Sequence, residues 1–295
     1  MTDINNPIKT ITLTYFSGTG CTKAIVDSFE KQLLEKGVVI NKLNIATCSQ
    51  SEVGDTDLII ICSPVYAFRL TSIVESWVKN LPETQSTKAA IISVSGGGDI
   101  SPNTACRVPS KRFLKKKGYH LVYEKMLVMP SNFATQAEQS LNYSLITVMP
   151  QRVKHIITDI LSGKEKFFRP KLQDRFFAAF GKAEHLGATF VGRSIRSSKA
   201  CNKCGLCIRN CPKKNIQMKN GMPKFGFRCI WCLKCIYACP QKALSPRILK
   251  SIILKNGFDL EKMSKMSHQN LDEKDYKSHR SAIWQGVIDY LYKDN

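Results

Sequence analysis

The sequence predicts an α/β chain: a doubly wound parallel sheet followed by a small, cysteine-rich α+β domain. Two observations carry this. Over the first half, β-rich apolar runs alternate with amphipathic helical segments, and eight of the twelve cysteines crowd between positions 201 and 239. In order, Ile8 to Phe16 reads as a strand, Thr22 to Lys36 as an amphipathic helix ending at Gly37, Val38 to Asn44 as a strand and Asp57 to Cys62 as a buried strand. A helix from Thr71 to Asn80 is stopped by Pro82. A strand from Ala89 to Val94, a helix from about Asn103 to Lys117 and a strand from Tyr119 to Met129 complete the series. Such alternation specifies a parallel sheet with helices on both faces, and ligands in such folds bind beyond the carboxyl ends of the strands.

The chain has 295 residues, 43% of them hydrophobic, enough to bury a sizeable core and too apolar for a disordered chain. No apolar run reaches the roughly eighteen residues of a membrane span. Met1 to Lys9 lacks the charged start and apolar stretch of a secretory leader, so the expected location is the cytoplasm. Charge is uneven: residues 1–150 carry 15 Lys/Arg against 12 Asp/Glu, and residues 151–295 carry 29 against 11. Between Glu184 and Asp259 there is no acidic side chain, whereas 15 Lys/Arg lie from Arg193 to Lys255, an electropositive surface suited to acidic partners.

The cysteines fall into two groups. Cys21, Cys48, Cys62 and Cys106 are scattered, without ligand spacing. Cys201, Cys204, Cys207 and Cys211 form a C-x2-C-x2-C-x3-C run closed by Pro212; Cys229, Cys232, Cys235 and Cys239 repeat it 28 residues later, closed by Pro240. That spacing is the one of bacterial iron–sulfur ligation, in which three thiolates come from one run and the fourth from the other. It predicts two [4Fe-4S] clusters, one on Cys201, Cys204, Cys207 and Cys239, the other on Cys229, Cys232, Cys235 and Cys211. Zinc knuckles use pairs of ligands and often a His, but none of the five histidines lies near these runs. Disulfides suit a secreted chain instead.

Residues of about 197 to 245 resemble a bacterial two-cluster ferredoxin, a family that shuttles single low-potential electrons. The segment departs from the family in charge, since such ferredoxins are typically acidic. Positive surroundings favour the reduced, more negative cluster and imply a potential above that of acidic homologues.

After the first strand, Ser17-Gly18-Thr19-Gly20-Cys21-Thr22 opens directly into a helix: glycines admit a close approach, and hydroxyls, N–H groups and the positive helix end favour a phosphate. Neither G-x-x-x-x-G-K-[ST] nor G-x-G-x-x-G is present. The segment resembles the phosphate loop of flavodoxins, which holds the ribityl phosphate of FMN. Two further loops resemble FMN-contacting loops of that family: Ser63-Pro64-Val65-Tyr66-Ala67-Phe68-Arg69 and Ser95-Gly96-Gly97-Gly98-Asp99. The resemblance implies a flavodoxin-like doubly wound sheet binding FMN through Ser17 to Thr22, Pro64 to Phe68 and Ser95 to Asp99, with Tyr66 or Phe68 against the isoalloxazine. The third loop departs from the family in lacking an aromatic; its three glycines are expected to leave one flavin face open. Cys21 stands where such loops commonly carry Asn. A helix N-terminus depresses a thiol pKa and a bound phosphate opposes this, and Cys21 is read as a small residue lining the cradle. The other three scattered cysteines are read as buried small apolar residues.

The remaining segments join or flank these units. Ala137 to Gly163 is a helical pattern interrupted by Pro150, and Met129-Pro130-Ser131-Asn132-Phe133 is read as a turn within reach of the flavin rim. Phe167 to Phe190, with Phe176, Phe177 and Phe180, is a bridge expected to pack the two units together. Ser245-Pro246 begins a basic amphipathic stretch, with Ile248, Leu249, Ile252 and Ile253 on one side, read as a docking helix with peripheral membrane contact as the alternative. Lys262 to Arg280 is polar and Ser281 to Tyr292 is a final amphipathic helix. The expected division is therefore 1–163 for FMN, 164–196 as bridge, 197–245 for two clusters and 246–295 as helical extension. No nucleic-acid recognition motif accompanies Lys111, Arg112 and Lys115 to Lys117. The resemblances imply a redox protein moving electrons between FMN and two clusters, enzyme or carrier, whose counterpart is an acidic redox protein or a small organic acceptor.

Overall fold

The structure, a computed structural model, describes residues 7–265 and 284–292, with the backbone alone at 180 and 182–186. Strands β1 (Thr10–Tyr15), β2 (Val39–Asn44), β3 (Leu58–Tyr66), β5 (Lys88–Ser95) and β6 (His120–Val128) form a parallel sheet in the order β2-β1-β3-β5-β6, and the two-residue β4 (Arg69–Leu70) pairs antiparallel with β3. Ile60 and Cys62 of β3 face one core and Ile59 and Ile61 the other; Ile92 and Ile91 of β5 divide in the same way. Strands buried on both faces need unbroken apolar runs, which is why they are legible in the sequence. Helices α1 (Cys21–Leu34) and α4 (Gln139–Leu161) cover the first face, α2 (Ser72–Lys79) and α3 (Val108–Lys116) the second. The chain leaves the first strand between its two neighbours, β2 and β3, so a crevice opens at the carboxyl ends of β1 and β3.

Several elements differ from expectation. β3 runs on through Ser63, Pro64, Val65 and Tyr66, so the start of the second loop is strand. The helix expected from Asn103 begins as an isolated 3-10 turn, Asn103–Ala105, and α3 starts at Val108 with Pro109 in its first turn. Pro150 does not interrupt α4: its missing N–H leaves the helix continuous, and its carbonyl accepts from Gln32 Nε2 at 3.0 Å.

Helix α5 (Leu172–Arg193) is the bridge. It is anchored by small or polar residues rather than by phenylalanines: buried Asp174 accepts from Ser101 Oγ and Thr104 Oγ1, the Ala178 carbonyl accepts from Arg69, and Gly192 lies against the Cys229 side chain. Phe176, Phe177 and Phe190 stay exposed, and the Phe180 side chain lies outside the described residues. Beyond α5, β7 (Ile195–Ser197) pairs antiparallel with β10 (Leu244–Pro246), and β8 (Ile216–Lys219) with β9 (Met222–Phe225). Two short helices, α6 (Leu206–Arg209) and α7 (Lys234–Tyr237), complete this α+β unit around its own small core.

The docking helix expected after Pro246 is absent. Leu249 takes a left-handed conformation (φ 58°) and only a 3-10 turn, Lys250–Ile252, follows, so the apolar residues never line up on a helical face. A short α8 (Leu260–Ser264) precedes the undescribed stretch 266–283, which contains most of the polar tail and the first residues of the expected final helix. Helix α9 (Gln285–Tyr292) returns to the first core with Val287, Ile288, Tyr290 and Leu291 buried, and buried Arg152 of α4 donates to the Tyr290 carbonyl at 2.8 Å. Among the described residues no helix is long and apolar enough to cross a membrane.

Candidate functional site

A cavity of about 630 Å³ opens at the carboxyl ends of β1, β3, β5 and β6. Ser17, Gly18, Thr19, Cys21 and Thr22 form one wall, Pro64 to Phe68 a second, and Ser95, Gly96 and Gly97 a third. Ser17 Oγ accepts from the Gly20 N–H at 3.1 Å, and Gly20 takes φ 108°, which turns the chain sharply into α1. No side chain caps α1 and its first turn holds no carboxylate, leaving the positive helix end without a competing acceptor, as a phosphate seat requires.

Three of the expected loop residues stand apart from the cavity lining. Gly20 shapes the turn. Gly98 lies against Gly286 of α9, where a Cβ would come within 2.7 Å of backbone, and Asp99 turns to buried Arg107 at 3.5 Å. The third-loop glycines therefore admit a helix of this chain, and Trp284, just before α9, lines the cavity.

The loop after β6 does more than turn. Met129 to Phe133 lines the cavity, Asn132 Nδ2 donates to Thr19 Oγ1 at 2.7 Å, and Gly96 packs on Ser131. The sequence reading also lacked the far wall, made by Ile230, Trp231 and Leu233 from between the cysteines of the second run. A Cβ at Gly18 would lie 2.5 Å from the Cys232 carbonyl oxygen and 2.6 Å from the Tyr66 hydroxyl, so the two units meet backbone to backbone beside the phosphate loop. Burial pushes the Tyr66 hydroxyl well above its ordinary pKa. It also pushes the Cys21 thiol up to about 12, outweighing the lowering by its backbone hydrogen bond. Cys62 and Cys106 are buried and Cys48 half-buried, as small apolar residues are.

The eight clustered cysteines surround two separate cavities. One is lined by Cys211, Cys229, Cys232 and Cys235, the other by Cys201, Cys204, Cys207 and Cys239. These are the two crossed quartets, with Cys211 and Cys239 exchanged between the runs. The backbone repeats with the sequence: Lys203 and Trp231, Gly205 and Leu233, and Lys214 and Lys242, each pair 28 residues apart, all have φ between 46° and 72°. Asn215 N–H donates to Cys211 Sγ at 3.3 Å and Ala243 N–H to Cys239 Sγ at 3.4 Å, again 28 residues apart. Backbone donors aimed at thiolate sulfur stabilise the extra negative charge of a cluster. Burial, followed by repulsion from Cys229 and Cys211, pushes the Cys232 thiol up to about 12 after a partial offset by the Lys234 N–H. Burial then Cys232, Cys229, Cys211 and Cys207 push Cys235 well up. Metal-free thiols there are held protonated, so loading a cluster releases protons. Among the described residues no group of three or more His, Cys, Asp or Glu is gathered for a single metal ion. The donor sets stand around cavities and fit a cage-shaped group; likewise the cavity beside Ser17 to Thr22 falls within the about 300–1,000 Å³ of small-molecule sites.

Comparison with family models matches residues 12–130 to the flavodoxin domain and residues 200–244 to the 4Fe-4S dicluster domain. The search of curated proteins gives no significant match. Among solved structures, a Fusobacterium nucleatum flavodoxin mutant bound to flavin mononucleotide is 17% identical, covering 54% of this chain and 98% of its own (TM-score 0.39). The Streptococcus pneumonia TIGR4 flavodoxin is 15% identical over 51% and 99% (TM-score 0.38). The rubredoxin oxygen:oxidoreductase of Desulfovibrio gigas is 15% identical over 53% of this chain and 38% of its own (TM-score 0.35). With the parallel sheet and the two cysteine cages, the family matches identify the chain as a flavodoxin domain joined to a 4Fe-4S dicluster domain, an electron-transfer redox protein of flavin and 4Fe-4S chemistry.

Proposed function

We propose that the chain is a flavin and iron–sulfur oxidoreductase that holds FMN in the shared cavity and two [4Fe-4S] clusters in the cysteine cages, interconverting two-electron and one-electron traffic. The observation that carries this reading is the cavity wall built by both units, with the Cys232 carbonyl against Gly18. When bound, the flavin supplies electrons in pairs or singly and each cluster one at a time. Ser17 to Thr22 would seat the phosphate, Tyr66, Trp231 and Trp284 would shield the ring system from water, and the eight cysteines would hold the clusters.

The walls also order the path. Ile230, Trp231 and Leu233 line both the flavin-side cavity and the cage of Cys211, Cys229, Cys232 and Cys235, which makes that cage the proximal one. The other cage shares no lining with the flavin side, and its Cys204 is exposed, so exchange with an outside partner belongs there. Clusters held by eight thiolates suit a reducing compartment such as the cytoplasm. Within this reading the flavin unit spans 1–163, the bridge 164–196, the cluster unit 197–245 and the C-terminal extension 246–295, of which Gln285–Tyr292 packs on the flavin unit.

A second reading, a carrier that docks an acidic redox protein without turning over a substrate, draws on Lys203 and Arg209 beside exposed Cys204. Salt separates the two: a charge-steered carrier loses rate steeply with ionic strength, whereas reduction of a neutral small acceptor hardly responds. The test of both is an anaerobic preparation assayed for flavin, iron and sulfide and then titrated with reductant. One FMN and about eight irons per chain are expected. A flavin-free chain that still transfers electrons would overturn the flavin assignment, and about four irons would overturn the second cluster.

A further inference from the structure

On the cluster unit lies an open recess of about 520 Å³ that no cysteine lines and that shares only Asn215 and Phe225 with the neighbouring cage. Arg193, Arg196, Lys214, Lys219, Lys224 and Arg228 line it, over a floor of Asn215, Phe225 and Gly226. Among the described residues none of the six makes an ion pair, and residues 185–258 contain no carboxylate to supply one. The arginines are held in place: Arg196 donates to the carbonyls of Arg193 (2.6 Å) and Ile195 (2.9 Å), Arg228 donates to the Lys214 carbonyl (3.0 Å), and the Arg193 guanidinium stacks over Phe227 at 3.8 Å. Beneath them, buried Asn215 accepts from the Arg228 N–H and donates to the Gly226 carbonyl, tying the two sides of the recess together.

Six unneutralised cations around one concavity repel one another until an anion of several charges enters. Fixed guanidinium forks match phosphate oxygens. The volume is that of a small-molecule site. Phe227 lines the recess and is 53% exposed even with the Arg193 guanidinium over one face and Phe190 near-perpendicular at 6.4 Å, so the ring and the guanidinium plane stacked on it together offer a flat base a stacking surface. We propose that this recess binds a nucleoside diphosphate, its phosphates on the cations and its base on Phe227. The site goes beyond the electron-transfer reading and does not depend on it.

The test is calorimetric titration of the cluster-loaded full chain with ADP and with pyrophosphate. ADP is expected to bind at one saturable site, pyrophosphate to compete for it about tenfold more weakly, the difference being the stacked base. Lys224→Glu and Arg196→Glu each weaken both ligands by about tenfold or more. Phe227→Leu, which also frees the Arg193 guanidinium, weakens ADP more than pyrophosphate and brings the two affinities together. Lys115→Glu, on the distant α3, changes neither. Cluster absorbance unchanged in every variant shows that the unit remains folded. No saturable binding at about 1 mM ligand, or equal losses in Lys115→Glu and Lys224→Glu, overturns the site. Unaltered ADP affinity in Phe227→Leu overturns the nucleoside assignment. Docking of an acidic electron-transfer protein that Lys224→Glu abolishes, with ADP never binding, gives the recess to a protein instead.

Discussion

Gly18→Ala tests the contact on which the electron path depends. The new Cβ would stand 2.5 Å from the Cys232 carbonyl oxygen and 2.6 Å from the Tyr66 hydroxyl. The tyrosine tip can swing, but the carbonyl is backbone in a loop fixed by its cysteines. Relief to an ordinary contact of about 3.4 Å requires the two units to separate by nearly 1 Å. Overpacking of this kind costs about 1–3 kcal/mol. For a chain of this size that is a fall in Tm of about 2–6 °C, or, where the strain falls on the ligand, about 5- to 150-fold in FMN affinity. The assay is thermal unfolding of the flavin-free, cluster-loaded chain, followed by FMN titration. Measuring Tm without FMN isolates the contact between units from any clash with the ligand. Gly97→Ala is the control for Tm, because among the described residues its Cβ would meet only Asn103 Nδ2, at 3.8 Å. If the Tm of flavin-free Gly18→Ala matched that control, the units would not meet at this point.

Four further outcomes are expected. Gly286→Ala places a Cβ 2.5 Å from the Gly97 carbonyl oxygen and lifts α9 from the third loop, seen as a changed Trp284 environment in fluorescence and a loss of about 1–3 kcal/mol; unchanged emission and stability would refute the contact. Gly187→Ala, in α5 with no atom of the described residues within 4 Å of the new Cβ, stabilises by up to about 1 kcal/mol in denaturant unfolding; a destabilised variant would contradict that open space. Burial pulls the Asp57 carboxyl up, but hydrogen bonds from Thr10 and Lys9 outweigh it and hold the pKa below the usual value. Its contribution is thus present above the unfolded pKa of about 3.9 and lost as pH falls through the folded value, so Asp57→Asn lowers Tm at pH 7 and the gap closes in acid; a pH-independent gap would refute this. Cys21, pushed up to about 12 by burial, stays a thiol at pH 8, and mass-mapped iodoacetamide labelling leaves it among the last cysteines modified, first labelling being the contrary result.

What could be read in the sequence was what is local. The parallel strands β1, β3 and β5 announce themselves because both faces are buried, and the cysteine runs because ligand spacing within a loop is a short-range constraint. Pro109 in the first turn of α3 was a usable start signal for the delayed helix. Ile248, Leu249, Ile252 and Ile253 have helical spacing, yet a left-handed Leu249 and the pairing of Pro246 with Ile195 in the β10–β7 ladder override it. The far wall of the flavin-side cavity was hidden for another reason: Gly18 and Cys232 touch across more than two hundred residues, and no periodicity records such a contact. Trp231 was passed over because it lies inside a metal-ligand run, and Trp284 because a chain end carries no signal of where it docks.

One trace of that contact is nevertheless written in the repeat. The two cysteine runs share spacing, left-handed positions and N–H···S donors, so differences between equivalent residues report environment rather than cage construction. Asn202, Lys203 and Gly205 of the first run become Ile230, Trp231 and Leu233 in the second, and exposed Cys204 becomes buried Cys232. Leu233 keeps the left-handed φ of 59° that its counterpart Gly205 adopts without strain. A β-carbon there is disfavoured, and the side chain it carries lines both the flavin-side cavity and the proximal cage. Apolar burial in the cluster unit's own core, beside Ile195, Ile216 and Ile236, offsets the conformational penalty. Two copies of one cage thereby acquire unlike surroundings, one lined by residues that also face the flavodoxin unit and one with an exposed cysteine, as the proposed order of the two clusters requires.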